Sequence, residues 1–272
     1  YRTRAGSRPI DWLRPASPEA LAAGAAGARG CFPLVPFSNR IREGKFRFAG
    51  RGVQLPLNVP GQKHCEHGHG WQAPWRVIAH GQASLTIEYS HTADAWPFPY
   101  TAWQIFRLEP EWLTVEIAVK NTGSAPMPVG IGLHPYFPRT PRATLTAQID
   151  RIWNTDDEAM PIGLADPPAQ CRLDEGLRVD GVALDNGFTG WSRRAEIDWP
   201  ENRARLIMTA DQPLSFLVVY TPRGESFFCA EPVSNCTDAF NLADQGHTDT
   251  GMAVLAPGKS LRAAVAFTPS VS

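Results

Sequence analysis

Leu113-Thr114-Val115-Glu116-Ile117-Ala118-Val119 alternates with a period of two. That period puts Leu113, Val115, Ile117 and Val119 on one face of a β-strand, with Thr114, Glu116 and Ala118 on the other. Working outward, Leu85, Ile87 and Tyr89 alternate with Thr86 and Glu88 in the same way. Phe46-Arg47-Phe48, Trp103 to Leu108, Met127 to Leu133, Thr144 to Ile149, Leu214 to Val219 and Leu261 to Phe267 are further short strand candidates. Asn121-Thr122-Gly123-Ser124, Asn186-Gly187, Pro222-Arg223-Gly224 and Pro257-Gly258 punctuate them as turns. Pro161 to Pro168 reads as a long surface loop. With 23 Gly and 25 Pro, long helices are disfavoured. The best helical stretch, Pro18 to Ala28, contains Gly24 and Gly27, so a helix, a loop and a short strand all fit it. The expected architecture is all-β: one large antiparallel domain over residues 1–272, two sheets packed face to face. Its core spans about 30–268, and residues 1–29 form an N-terminal segment with no assigned order.

Composition narrows the function. The chain has 43% hydrophobic residues and nine tryptophans, enough for a sizeable core without disulfide staples. Lys and Arg number 26 against 27 Asp and Glu, which argues against a nucleic-acid or anionic-membrane partner. Arg2, Arg4, Arg8 and Arg14 make the start basic, but no apolar stretch follows to complete a secretory leader. No run of 18 apolar residues is present to span a membrane. The five cysteines are odd in number and form no C-x-x-C pair, so a reducing cytoplasm is the expected compartment. Cys229, beside Phe228, reads as a small buried thiol rather than a nucleophile. No G-x-G-x-x-G fingerprint, Walker-type loop or G-x-S-x-G elbow occurs.

Three segments concentrate chemistry. Gly130-Ile131-Gly132-Leu133-His134-Pro135-Tyr136-Phe137 sets one histidine at the end of the apolar strand expected over Met127 to Leu133. Phe227-Phe228-Cys229-Ala230-Glu231-Pro232 sets a lone carboxylate in a similar apolar frame. Such a pair suits general acid–base work on a neutral substrate near pH 7; a satisfied core histidine and a rim glutamate are the plainer alternative for either residue alone. In His64-Cys65-Glu66-His67-Gly68-His69-Gly70-Trp71, His67 and His69 would share a face if the segment were a strand, and H-x-H opens a cupin metal site. A cupin adds a glutamate where this chain has Gln72 and Ala73, so no metal is expected. The glycines point instead to backbone held close to a ligand, with imidazoles as hydrogen-bond donors.

Segments in this order resemble the aldose 1-epimerases, mutarotases of the galactose mutarotase-like superfamily. They are Pro36-Phe37-Ser38-Asn39-Arg40-Ile41 with Gly44 and Phe46 behind it, His67-Gly68, Gly132 to Phe137, Leu184-Asp185-Asn186-Gly187-Phe188, and Ala230-Glu231-Pro232. The resemblance runs from about residue 30 to Phe267. It implies a β-supersandwich with an open cleft for a monosaccharide. It further implies that His134 is the general acid toward the ring oxygen and Glu231 the general base on the anomeric hydroxyl. Asn39, Arg40, His67 and Asp185 fall at positions that bind or orient sugar hydroxyls, with Gln212 a looser match. Galactose mutarotases carry two consecutive glycines where this chain has His67-Gly68-His69-Gly70-Trp71, so the resemblance names no single sugar.

Anomer interconversion removes a proton from O1 and delivers one to the ring oxygen, so it requires no cofactor. A noncatalytic carbohydrate-binding module and a glycoside hydrolase using Asp185 and Glu231 are the rivals from other classes. An anionic sugar is an alternative substrate, with Arg40, Arg76, Arg107 and Arg139 as candidate contacts. Trp71 and Trp75 are the tryptophans expected at the cleft. Mutual attraction should keep His134 protonated and Glu231 ionised, and alanine at Arg40 or His67 should weaken binding while sparing the fold. The expected partner is one small monosaccharide, and the expected assembly is a monomer or homodimer.

Overall fold

A computed structural model describes residues 1–5 and 8–271; Gly6, Ser7 and Ser272, part of the expected domain span, lie outside the described residues. Among the described residues, two large antiparallel sheets dominate. The larger has nine strands in the order Leu177–Arg178, Thr144–Ala147, Arg194–Trp199, Ala204–Ala210, Ser260–Val271, Leu113–Asn121, Tyr100–Leu108, Ser84–His91 and Arg76–His80. The Leu113 stretch lies in its middle. Val115, Ile117 and Val119 are buried, and their register partners Phe106, Gln104 and Ala102 continue the inward face across the neighbouring strand.

The second sheet has seven strands, in the order Pro161–Ala165, Arg151–Thr155, Asp185–Thr189, Phe216–Tyr220, Phe227–Val233, Gly132–Pro138 and Cys31–Leu34. Its middle strands are buried on both faces: Leu217, Val218 and Val219 in one, and every residue from Phe228 to Val233 in the next. Sequences covered on both sides read as continuous apolar runs rather than alternations. One buried hydrophobic cluster joins the two sheets, from Ile10 through Phe267. No helix among the described residues is long and apolar enough to cross a membrane.

Three expectations are corrected, and the N-terminal segment, left without an assigned order, gains one. Pro161 to Ala165 is an edge strand on Arg151–Thr155, not a loop; proline is tolerated at the first position of an edge strand because no ladder donor is needed there. Asn186-Gly187 lies inside the Asp185–Thr189 strand rather than in a turn, its amide donating to the Trp153 carbonyl at 2.9 Å. The apolar run from Met127 breaks at Gly130, where a Cβ would stand 1.8 Å from Asn235 Oδ1, so His134 falls in the interior of the Gly132–Pro138 strand and not at a strand end. The N-terminal segment is built into the fold. Arg2–Ala5 pairs with Arg8–Asp11, Trp12 is buried edge-on against Trp199, and Arg14 lies 3.7 Å from the Tyr136 ring centre. The helix at Pro18 is short: Ser17 caps it, it spans Pro18–Ala22, and Gly24 follows in the left-handed region at φ +64°.

Candidate active site

His134 and Glu231 reach one cleft because two adjacent strands carry them to the same face. Gly132–Pro138 pairs with Phe227–Val233 at Gly132–Val233 and again at Tyr136–Cys229, and the two side chains face each other in the interval. Pro135 and Pro232 lie in that interval and have no N–H to place in the ladder. His134 Nε2 stands 3.2 Å from Glu231 Oε1, with the residues 6% and 2% exposed. His134 Nδ1 and Glu231 Oε2 are buried without a hydrogen-bond partner. Such orphans are uncommon in folded proteins and point to a partner that arrives from outside.

Burial reverses the expected ion pair. Removal from water pushes the Glu231 carboxyl well above its ordinary range; Asp185 and Glu66 push the same way, and only Arg40 opposes them. Burial likewise pushes the His134 imidazole well down, helped by His67 and by the Arg14 and Arg40 charges. Burial therefore favours a neutral imidazole beside an uncharged carboxyl, which contains the same protons as an imidazolium–carboxylate pair with one moved between partners.

The cleft has a volume of about 220 Å³, and all six residues expected at the site line it: His134, Glu231, Asn39, Arg40, His67 and Asp185. Asn39 and His67 both adopt left-handed backbone, at φ 59° and 60°. They hold each other, His67 N–H donating to the Asn39 carbonyl at 2.9 Å and Asn39 N–H to His67 Nδ1 at 3.2 Å. That second bond makes Nδ1 an acceptor, so a neutral His67 carries its proton on Nε2. Burial pushes the imidazole down to about 3, which keeps it neutral.

The left-handed turn at His67 also overturns the shared face expected of His67 and His69. His67 faces the cleft, whereas His69 stacks on His91 at 4.4 Å with an interplanar angle of 10° and meets the Tyr100 hydroxyl at 3.0 Å. Ring-nitrogen lone pairs lie in the ring plane, so two parallel imidazoles do not converge on one ion. Gly68, at φ +67°, is required because a Cβ there would sit 2.4 Å from the Val35 carbonyl oxygen. The close approach that this glycine permits is to the chain itself, not to a ligand.

Arg40 is tied on both sides, to Glu66 Oε1 at 3.2 Å and to Asp185 Oδ2 at 3.0 Å. Sequence reasoning missed Glu66, although it sits directly across from Arg40 in a two-stranded ladder. Burial raises its carboxyl, against the pull of Arg40. Phe32, Tyr136 and Tyr220 were also missed; like Trp71, they line the cleft. Trp75 borders a neighbouring cavity instead, and Gln212 is exposed on the loop before Phe216–Tyr220. Arg76, Arg107 and Arg139 pair with Glu88, Glu116 and Asp180 and are absent from the cleft wall. Among the described residues Arg40 is the arginine that lines the cleft, and two carboxylates share it. Cys229 is fully buried, and desolvation pushes its thiol well above the ordinary range, as expected of a structural cysteine.

Given these two pairs, alanine at Arg40 should cost stability as well as binding. It leaves Glu66 and Asp185 facing each other without their cation, and removing one partner of a buried pair costs about 3–5 kcal/mol, less where water reaches the group. Glu66, already raised by burial, would lose the pull of Arg40 and titrate higher in the folded than in the unfolded chain. The deficit should be full near neutrality and shrink as pH falls toward the carboxylate range, a trend that melting temperatures of Arg40→Ala and wild type across pH will read. A constant deficit would mean that the carboxylates do not depend on Arg40.

Comparison with known proteins agrees with this construction. YphB of Escherichia coli K12, a protein of uncharacterised function, is 32% identical over 256 residues, covering 91% of this chain and 85% of that protein. The crystal structure of a candidate aldose 1-epimerase from Escherichia coli K12 superposes with a TM-score of 0.87 at 29% identity, covering 98% of this chain and 90% of that one. A galactose mutarotase-like protein from Clostridium acetobutylicum shares the fold at a TM-score of 0.78 and 18% identity, with coverages of 89% and 79%. The aldose 1-epimerase family model matches residues 5–268, nearly the whole length described, and the chain belongs to that family.

Proposed function

We propose that the cleft binds a monosaccharide and interconverts its α and β anomers by acid–base ring opening and reclosure. One observation carries this reading: the 3.2 Å contact between His134 Nε2 and Glu231 Oε1 on the cleft wall. O1 and the ring oxygen are bonded to the same carbon, so an acid and a base that serve both must stand side by side. In ring opening, Glu231 as carboxylate takes the O1 proton while His134 as imidazolium protonates the ring oxygen. The C1–O5 bond breaks and C1 becomes an aldehyde. Rotation about C1–C2 presents the other carbonyl face, and reclosure returns both protons. The uncharged pair favoured by burial is the state left after opening, and thus the state ready for closure. Because the pair is neutral overall before and after, a water-poor site carries no net charge through the cycle.

His67, as an Nε2 donor, and the Arg40–Asp185–Glu66 group suit sugar hydroxyls, which both donate and accept. The reading is tested by dissolving single anomers of neutral and 6-phosphorylated aldoses and following their approach to equilibrium by polarimetry or NMR. Faster equilibration of at least one neutral aldose is the expected result; binding without acceleration would make the protein a noncatalytic carbohydrate binder.

The pH dependence follows from burial. The active pair holds one titratable proton beyond a neutral imidazole and a carboxylate. Adding a second creates an uncompensated imidazolium, which burial postpones to pH well below the ordinary histidine value. Losing one creates an uncompensated carboxylate, which burial postpones to pH well above the ordinary glutamate value. After subtraction of the spontaneous rate, kcat/KM should therefore follow a broad bell. An acidic limb at the ordinary value of about 6.5 would show that His134 titrates as a solvated group.

A further inference from the structure

A second cavity, of about 360 Å³, adjoins the first. Phe32 and Trp71, ring centres 5.4 Å apart, line both. The segment from Gly24 to Arg29 borders both, Gly27 at the first cavity and Gly24, Ala26 and Arg29 at the second. Gln104 lines the second cavity from the inward face of the large sheet, between the register partners Ile87 and Ile117, where alternation calls for an apolar residue. The residue is 6% exposed, and among the described residues its amide bonds no protein group; its polar atoms are not sealed off and stay free to meet water or a ligand in the cavity. Such an amide can donate to and accept from a hydroxyl that displaces the water. Trp75 also borders this cavity, its indole N–H held by the Gly70 carbonyl at 2.7 Å, which fixes the ring. Fixed aromatic rings beside an amide able to donate and accept are the chemistry that recognises a sugar ring, apolar on its faces and hydroxylated at its edge.

The position of the cavity sets the linkage. Phe32, His134 and Glu231 succeed one another across neighbouring strands of the smaller sheet, with Phe32 directly paired to His134. With the anomeric hydroxyl at Glu231 and the ring oxygen at His134, the sugar's C5–C6 end extends toward Phe32 and the second cavity. We infer that this cavity is a subsite for a second sugar unit attached through the C6 oxygen, so that the protein acts on reducing 1→6-linked disaccharides as well as on the free hexose. The inference rests on the anomer-interconverting reading of the first cavity.

The test compares three substrates: the hexose that the protein turns over best, and the 1→6- and 1→4-linked disaccharides with that hexose at the reducing end. Wild type should show a higher kcat/KM for the 1→6-linked disaccharide than for the free hexose, through a lower KM. Gln104→Leu, which restores the apolar pattern and so should fold, should lower kcat/KM for that disaccharide about tenfold and leave the hexose unchanged within about twofold. No acceleration with any sugar would overturn the parent reading and the subsite with it. Acceleration of the hexose without a 1→6 advantage, an equal or greater advantage for the 1→4 linkage, or a uniform effect of Gln104→Leu would each overturn the subsite alone.

Discussion

Glutamine in place of Glu231 should lower kcat for anomer interconversion by roughly 100-fold or more, with melting temperature close to wild type. The residue is 2% exposed and burial favours its uncharged form, so the wild-type protein already accommodates a neutral group of nearly the same shape at this position. An amide keeps that shape and its hydrogen-bonding capacity. What it loses is the lone function that neither Asp185 nor Glu66 can replace: accepting the O1 proton beside His134 Nε2. The variant should still bind sugar, because Asn39, Arg40, His67 and Asp185 remain in the cleft. The loss should therefore fall on kcat rather than KM, which marks an interaction made in the transition state. Retention of most of the wild-type rate would remove Glu231 from the mechanism and return it to the role of a buried structural acid.

The sequence was most readable where one face of a sheet meets solvent. The Leu113–Asn121 strand alternates because Val115, Ile117 and Val119 pack inward while Thr114, Glu116 and Lys120 stay more open. A strand covered on both faces was still legible where its apolar run is continuous, as at Leu214 to Val219, and reading failed where turn-forming residues sit inside strands. Pro161, Gly163, Asn186 and Gly187 are strand residues here because edge pairing and cross-strand packing outweigh local preference. At the site, the residues named from the family resemblance converge, but their electrostatics were not legible. A sequence does not give burial, and burial makes the His134–Glu231 pair neutral by protonation rather than by opposite charges. Glu66 was illegible for a similar reason: the ladder that sets it across from Arg40 is only two residues long. Gln104 was not singled out either, because its inward position is set by the register with Ile87 and Ile117.

Asparagine in place of His134 should cost a factor comparable to the loss of Glu231, again roughly 100-fold in kcat, because the amide donates a hydrogen bond but cannot deliver a proton. The substitution also disturbs packing. The imidazole lies between Phe32, at 4.5 Å between ring centres, and Tyr136, at 4.7 Å and nearly parallel, so some stability should be lost even though Asn is polar and small enough to fit. Melting curves separate that effect from chemistry, since a folded but slow variant carries the mechanistic information. The decisive measurement is the double variant. If His134 and Glu231 move their protons in one concerted event, removing either disables the event, and removing the second should cost far less than its single-variant factor. If acid and base instead acted in separate, independently limiting steps, their losses would multiply. The 3.2 Å contact favours the concerted outcome, because a proton reaching one member changes at once the affinity of the other for its own.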